Sequence, residues 1–239
     1  MSPFQYIRAL LTLLMAVPIT LFFSFMTLLD IFLVRRSEHK VQVFPRTWGR
    51  SICRLAGVRV RIEGAENLRP DQTYIFVGNH VSQFDIFSFQ GYFPHDFRWI
   101  AKKELLRIPF FGTAMLRSGI VFIDRSHGRE ALKSLNRAAE RIAGGTSVLI
   151  FPEGTRSVNG RLRPFKTGAV ILAIKAGVQV VPIGFNGTYS ILPKGKFLAN
   201  SGIITIRIGT PISTDSYTPG DKQKLTHHLH DMVAELLDA

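Results

Sequence analysis

The chain has 239 residues, enough for one α/β domain with an appendage, and 30 Lys and Arg residues against 17 acidic ones give it a net charge of +13. A chain this basic attracts phosphate groups on nucleic acid, anionic lipid or phosphorylated substrates. Its single cysteine, Cys53, excludes an internal disulfide and a cysteine-rich zinc site, and it fits a reducing compartment.

An uncharged run near the amino terminus, residues 9–29, is the first predicted element. As a helix it would be about 31 Å long, enough to cross a bilayer. Pro18 lies near its middle and removes a backbone donor there. One kinked spanning helix and two short helices in one leaflet are both consistent with this pattern. We favour two short helices broken at Pro18, within a membrane-embedded segment of residues 1–40.

The charges that flank this run predict its orientation. One basic residue precedes it, Arg8, and five follow closely, Arg35, Arg36, Lys40, Arg46 and Arg50. The positive-inside rule then places the rest of the chain on the cytoplasmic face of the cell inner membrane. A cleaved signal peptide fits less well, because no small-residue cleavage site follows the run.

A second helix is predicted just after the membrane segment. Phe44, Trp48, Ile52 and Leu55 recur at helical spacing, which indicates an interfacial linker helix over residues 41–56. A helix packed on the following domain fits the same pattern equally well. From residue 58 apolar and charged residues alternate, which is typical of a half-buried strand.

Strands and helices then alternate to the end of the chain. This order predicts a single α/β domain over residues 57–239, with a largely parallel sheet flanked by helices. The predicted strands cover residues 58–62, 74–78, 97–101, 120–124, 147–151, 180–185 and 203–208. The predicted helices cover residues 84–93, 103–117 (interrupted at Pro109), 129–143, 165–176 and 222–237.

A histidine and an aspartate lie at one junction between a strand and a helix. His80 follows the buried strand 74–78, and Asp85 lies in the first turn of the next helix. Residues five apart differ by about 140° around a helix axis, so His80 must lie in the loop, with Asp85 reaching back to it. A carboxylate there can hold one imidazole nitrogen and leave the other free to take a proton. Alternatively, Ser82 and Asp85 form a capping box and His80 is an ordinary loop residue.

A glycine-containing loop, residues 151–157, follows another predicted strand. Gly154 permits a tight turn in which backbone amides face an anion. Arg156 adds a guanidinium group, and Glu153 can orient it or a substrate hydroxyl. A polar loop with a solvated basic face is the simpler interpretation of this stretch alone.

Three further residues are candidates for the same edge of the sheet. Arg125 ends the strand 120–124 and can hold phosphate in a bidentate grip, although a surface ion pair with Asp124 is the alternative. Lys103 begins a helix, where it can meet a phosphate or the membrane surface, or simply face solvent. Pro182 lies in an apolar strand and is expected to shape a pocket wall.

Taken together and in order, four stretches resemble the sequence blocks of glycerolipid acyltransferases. They are Asn79-His80-x-x-x-x-Asp85, residues 119–125, residues 151–157 and residues 181–185, and they span roughly half of the chain. The pattern is most similar to the bacterial 1-acyl-sn-glycerol-3-phosphate acyltransferase (lysophosphatidate acyltransferase) family. The lysines at 102 and 103 and the amino-terminal membrane segment are also similar to that family.

The resemblance implies a reaction, a fold and a location. His80 would act as general base on the sn-2 hydroxyl of lysophosphatidate, Asp85 would fix its tautomer, and the hydroxyl would attack an acyl thioester directly, giving phosphatidate for phospholipid synthesis. The donor would be acyl-CoA or acyl-carrier protein, with no metal and no other cofactor. The other partner would be membrane phospholipid, with no nucleic acid. The implied acceptor-binding residues are Arg125, Glu153, Gly154, Thr155, Arg156 and Lys103, with Asn79 and Pro182 in support.

Other functions remain open at this point. A related acyltransferase with another acceptor, such as glycerol 3-phosphate, another lysophospholipid or a lyso-aminolipid, would share the same blocks. A membrane-anchored basic lipid-binding protein would explain the charge, but it would leave His80 and Asp85 without a role. A phosphatase would need a nucleophile or clustered carboxylates for a metal, which the sequence does not supply.

Overall fold

A computed structural model of the protein describes residues 2–34, 41–123 and 129–238. A seven-stranded sheet forms its centre. The strands are β1 (Val58–Glu63), β2 (Tyr74–Gly78), β3 (Arg98–Lys102), β4 (Val121–Ile123), β5 (Val148–Ile150), β6 (Gln179–Asn186) and β7 (Gly202–Ile208). Their order across the sheet is β1-β7-β6-β2-β5-β3-β4.

The sheet is mostly parallel, which confirms the predicted fold class. Strand β2 lies at its centre and pairs in parallel with both β5 and β6. Strand β3 continues the parallel set to β5 and β4. Only β6 and β7 pair antiparallel among the described strands, so β7 and its parallel neighbour β1 run opposite to the others.

Helices cover both faces of this sheet. They are α1 (Pro3–Val34), α2 (Val43–Leu55), α3 (Phe84–Tyr92), α4 (Phe111–Arg117), α5 (Arg129–Ala143), α6 (Gly168–Ala176), α7 (Thr188–Ile191) and α8 (Lys222–Glu235). Short 3-10 helices cover Ala65–Asn67, Lys103–Arg107 and Pro219–Asp221. The predicted helix 103–117 is therefore a 3-10 helix followed by α4, as the interruption at Pro109 indicated.

The alternation of side chains along β2 divides the core into two clusters. Tyr74 and Phe76 point to one face, where they pack with buried residues of α2 and α3. Ile75 and Val77 point to the other face, where they pack with buried residues of α5, α6 and α8. Because every residue of β2 is buried, the strand has no polar face and reads as a continuous apolar run.

The amino-terminal segment differs from the prediction. The two short helices expected on either side of Pro18 are instead one continuous helix, α1. Proline removes a single backbone donor. Two contacts hold the part of α1 that follows Pro18: the Trp48 indole of α2 donates to the Thr20 hydroxyl over 2.9 Å, and Arg117 of α4 lies over the Phe32 ring. Among the described residues α1 alone is long and apolar enough to cross a membrane.

Helix α2 packs on α3, as expected from the alternative in which residues 41–56 pack on the following domain. Contact of α2 with lipid remains a prediction. The backbones of the two helices are in contact where they cross. A Cβ atom on Gly49 would lie 2.5 Å from the Phe87 carbonyl oxygen and 2.7 Å from the Gly91 nitrogen, so only glycine fits there. Arg46 and Arg50 of α2 donate to the carbonyls of Phe93 and Gly91 at the end of α3. These guanidinium groups satisfy acceptors that a helix end leaves unpaired.

We expect Gly49→Ala to destabilise the protein, because its methyl group meets backbone atoms that cannot rotate away. Overpacking of this kind costs about 1–3 kcal/mol. In a chain of this size, that lowers the melting temperature by about 2–4 °C per kcal/mol. The matched control is Gly168→Ala, whose Cβ has no neighbour within 4 Å. Equal melting temperatures for the two variants in detergent would contradict the close crossing.

Candidate active site

The candidate residues meet at the carboxyl ends of the parallel strands. His80 follows β2, and the segment 151–157 follows β5, the direct neighbour of β2. Carboxyl ends of neighbouring parallel strands lie at one edge of a sheet, which is where open α/β sheets bind ligands. Two stretches 70 residues apart therefore form one site.

A single carboxylate oxygen organises the turn after β2. Asp85 Oδ2 lies 2.8 Å from His80 Nδ1 and accepts the backbone N–H groups of Val81 and Ser82 over 2.8 and 2.9 Å. Asp85 has no exposed surface. The same oxygen thus holds the imidazole and the backbone of the turn that precedes α3. The predicted capping box is not formed, because α3 begins after Gln83 and the Ser82 hydroxyl accepts the Phe84 N–H and not that of Asp85.

Three groups of the neighbouring segment also hold His80. The Phe151 ring stacks on the imidazole, with centroids 4.0 Å apart and planes 8° from parallel. Glu153 Oε1 accepts the His80 N–H over 2.6 Å, and the Ser157 N–H donates to the His80 carbonyl over 2.8 Å. We call residues 151–157 the clasp. Asp85 and the clasp together contact one face of the His80 ring, its Nδ1 and both of its backbone polar groups. Its Nε2 has no hydrogen bond with any described residue.

Glu153 lies beneath the histidine and is only 3% exposed. Burial raises the pKa of Glu153 to about 7, against the opposing effects of the His80 N–H and of Arg163. The sequence suggested that Glu153 orients Arg156 or a substrate hydroxyl. In the structure its carboxyl group contacts the backbone of His80 and also interacts with Arg163.

A cavity of about 540 Å³ opens beside the histidine. Its polar end contains His80 together with Gly154, Thr155 and Arg156 of the clasp. Its remaining wall is mostly apolar and comes from α1, α2, α3, β3 and α4, including Phe23, Trp48, Phe87, Trp99, Phe111 and Met115. A polar end that carries a histidine and an arginine, joined to a mostly apolar wall, suits an amphipathic substrate.

The other predicted residues fall in different places. Asn79 is buried and replaces a strand pairing: its Oδ1 accepts the Phe185 N–H over 2.8 Å and its Nδ2 donates to the Phe185 carbonyl over 3.1 Å. Pro182 is a buried residue of β6, paired with Val77, and it does not line the cavity whose wall it was expected to shape. Lys103 is exposed at the start of its 3-10 helix. Arg125 lies outside the described residues.

Two lysines outside the predicted acceptor-binding set join the site, Lys102, which the sequence named only as a neighbour of Lys103, and Lys194, which it did not name. Lys102, at the end of β3, lines the cavity. Lys194 Nζ donates to the Arg156 carbonyl over 3.1 Å, although the two residues are 38 positions apart. Lys194 carried no local signal beyond its charge, since its position depends on how the segment after α7 returns to the clasp.

Other chemical groups do not gather into a second centre. Within the described ranges, no three His, Cys, Asp or Glu side chains are placed to hold a metal ion. Cys53 is fully buried, and burial raises the pKa of its thiol to about 12. A thiol in such surroundings is a packing group.

Comparison with known proteins gives a consistent result. Residues 59–186 match the family model described as "Acyltransferase". The chain is 35% identical over 181 residues to 1-acyl-sn-glycerol-3-phosphate acyltransferase alpha of Homo sapiens, covering 75% of this chain and 64% of that one. It is 31% identical over 185 residues to a 1-acyl-sn-glycerol-3-phosphate acyltransferase of Borreliella burgdorferi, covering 77% and 74%.

The fold is also similar to a solved structure. The crystal structure of the 1-acyl-sn-glycerophosphate (LPA) acyltransferase PlsC from Thermotoga maritima superposes with a TM-score of 0.81 at 29% identity. The superposition covers 97% of this chain and 95% of that one. The amino-terminal helices are therefore included in the likeness.

We expect Glu153→Gln to change the pH dependence of stability. The folded protein keeps the Glu153 proton up to about pH 7, while the unfolded chain loses it near the ordinary value of 4.5. The folded state therefore binds more protons between these values, and its stability falls as the pH rises through that window. Glutamine keeps the carbonyl acceptor for His80 without ionising.

The measurement is the melting temperature in detergent between pH 4.5 and 8. The difference between Glu153→Gln and the unsubstituted protein should grow in favour of the variant up to about pH 7 and then level off. Glu104→Gln, at an exposed carboxylate, is the control. Parallel curves for Glu153→Gln and the unsubstituted protein would refute the assignment.

Proposed function

The chain belongs to the acyltransferase family, and on this premise we propose that it transfers a fatty acyl group from a thioester to the sn-2 hydroxyl of lysophosphatidate, forming phosphatidate. The resemblance inferred from the four sequence blocks is thereby confirmed at the level of the family. The observation that carries the proposed reaction is the His80–Asp85 pair at one end of a cavity whose wall is mostly apolar.

In the proposed mechanism His80 is the general base. Its Nδ1 is held by Asp85, so Nε2 takes the proton of the sn-2 hydroxyl as the oxygen attacks the thioester carbonyl. The resulting tetrahedral intermediate collapses by breaking its C–S bond. The thiolate leaves and receives the proton from the imidazolium, which Asp85 has stabilised in the meantime.

The clasp would contribute by limiting the motion of the base. Phe151 fixes the plane of the imidazole, and Glu153 and Ser157 fix the backbone that carries it. A base held in one orientation loses no further freedom in the transition state, and positioning of this kind is a large part of two-substrate catalysis. We therefore assign Glu153 a positioning role for His80 and not direct contact with the acceptor.

The basic rim of the cavity would bind the acceptor's phosphate. Gly154, with φ of +78°, turns the chain so that Thr155 and Arg156 line the polar end, and Lys102 approaches from β3. Guanidinium groups bind phosphate through paired hydrogen bonds. Arg125 and Lys103 remain proposed contributors from the sequence blocks.

The apolar part of the cavity would hold an acyl chain, and α1 would place the site at the membrane. Because α1 contributes Thr20, Phe23, Ser24 and Thr27 to the cavity wall, insertion of α1 would bring the cavity to the bilayer where the acceptor resides. The donor, acyl-CoA or acyl-carrier protein, would arrive from the cytoplasmic side of the inner membrane, in agreement with the basic residues that follow α1. No cofactor is part of this proposal.

The first test is thiol release from a long-chain acyl-CoA by the purified protein in mild detergent. Release should depend on lysophosphatidate, and His80→Ala should lower it by about 10²–10⁴-fold, the usual contribution of a general base. His228→Ala, at an exposed histidine of α8, should keep full activity.

Alternative substrates define the other outcomes of this test. Stimulation by glycerol 3-phosphate or lysophosphatidylcholine in place of lysophosphatidate would keep the mechanism and change the acceptor. If no acceptor stimulates release from acyl-CoA or from acyl-carrier protein, the acyl-transfer proposal is wrong and a lipid-binding role replaces it.

A second test concerns Arg156 and the phosphate. With lysophosphatidate, Arg156→Ala should reduce kcat/KM by about 10- to 100-fold, as expected for a lost charge-assisted hydrogen bond. With monoacylglycerol, which lacks the phosphate, the variant and the unsubstituted protein should have similar, low activity. An equal loss with both acceptors would show that Arg156 acts on the clasp and not on the phosphate.

A further inference from the structure

The segment from the end of β3 to the end of α4 exposes apolar side chains that the core does not use. We call residues 103–117 the shoulder. Ile108, Phe110 and Leu116 are 42%, 58% and 52% exposed. Large apolar side chains grouped on a surface commonly mark a contact with a partner or with lipid.

Phe110 is held in a backbone conformation that phenylalanine rarely adopts. Its φ and ψ are +60° and −52°, and it is the only non-glycine residue with positive φ among those described. Glycine would adopt this conformation without steric conflict, yet the position carries a large side chain directed to the surface. An unfavourable backbone that displays an apolar side chain indicates a function for that side chain.

The shoulder adjoins the apolar surface of α1. Helix α4 packs along α1, and the Arg117 guanidinium lies 5.7 Å from the centre of the Phe32 ring. Phe32 and its neighbour Leu33 are themselves 59% and 72% exposed. The shoulder therefore adjoins the exposed end of the helix suited to a membrane at Arg117.

The charges of the shoulder fit an anionic surface. Lys103, Arg107 and Arg117 lie within it and Lys102 directly precedes it, against one acidic residue, Glu104. Long basic side chains can extend from an apolar patch to lipid phosphates. Basic residues beside an inserted apolar group add electrostatic attraction to an anionic leaflet.

We propose that the shoulder is a second membrane-contacting element, which inserts Phe110 into the interface of an anionic phospholipid bilayer beside α1. The same segment supplies Leu105, Phe111, Ala114 and Met115 to the cavity wall. Contact of the shoulder with lipid therefore brings the wall between α1 and α4 to the bilayer surface, where an acyl chain can enter without crossing water. The proposal depends on membrane association of α1 and not on the identity of the acceptor.

The test labels a cysteine introduced at the surface, which is possible because the chain's single native cysteine is buried. Cys53 has no exposed surface, so a cysteine introduced at an exposed position can be labelled selectively with an environment-sensitive fluorophore such as NBD. Phe110→Cys and Phe197→Cys form a matched pair, since Phe197 is 74% exposed and lies in another part of the fold. Both labelled proteins are reconstituted in nanodiscs of anionic phospholipid with and without nitroxide-labelled lipid.

The label at position 110 should emit at shorter wavelength and several-fold more strongly than the same labelled protein unfolded in urea without detergent. The nitroxide lipid should quench it. The label at position 197 should keep a water-like emission and escape quenching. Water-like emission at position 110, or equal quenching at both positions, would overturn the proposal whatever the enzyme's activity.

A second pair separates the membrane contact from folding and from chemistry. Phe110→Gly should keep or raise the melting temperature in detergent, because glycine accepts the positive φ, and Phe110→Asp adds a charge at the same place. Phe110→Asp should lower acyl transfer to acceptor in vesicles while leaving transfer to micellar acceptor unchanged, and Phe197→Asp should alter neither. Equal ratios of vesicle to micelle activity for the two aspartate variants would contradict the assignment.

Discussion

The buried carboxylate of Asp85 is the interaction on which the rest of the site depends. A carboxylate without exposed surface is costly unless donors surround it, and Oδ2 receives two backbone N–H groups besides its contact with His80 Nδ1. The same oxygen therefore holds the turn between β2 and α3 and determines which imidazole nitrogen is left without a partner among the described residues. Stability of the turn and orientation of the His80 ring have one physical cause.

The clasp extends this constraint to a second strand. Phe151, Glu153 and Ser157 contact the ring, the N–H and the carbonyl of His80, so the histidine is held from β5 as well as from its own strand. This arrangement exists because β2 and β5 are neighbouring parallel strands whose carboxyl ends coincide. Residues of one short segment also differ in what they contact, since Glu153 accepts the His80 N–H while Thr155 and Arg156 line the cavity.

The apolar amino-terminal helix α1 is joined to α3, the helix that follows His80, by direct packing through α2. Helix α2 contacts α1 on one side through Trp48 and Thr20, and crosses α3 on the other at Gly49 and Gly91. Since α3 follows the turn that holds His80, the positions of α1 and of His80 are set by one stack of three helices. The cavity between them is consequently walled by both parts.

The sequence by itself determined the alternation of strands and helices, the His80–Asp85 pair and the family, because periodicity, turn residues and short motifs are local properties. The prediction of a break at Pro18 was wrong. The free-energy cost of a proline in a helix is local, while the contacts that keep α1 continuous come from α2 and α4. Only the tertiary structure decided that Glu153 accepts the His80 N–H, that Lys194 contacts the clasp and that Phe110 is exposed. Each of these features depends on which distant segments become neighbours in space. Strand order and helix packing determine those neighbours, and they rest on contacts between segments that no short stretch of sequence contains.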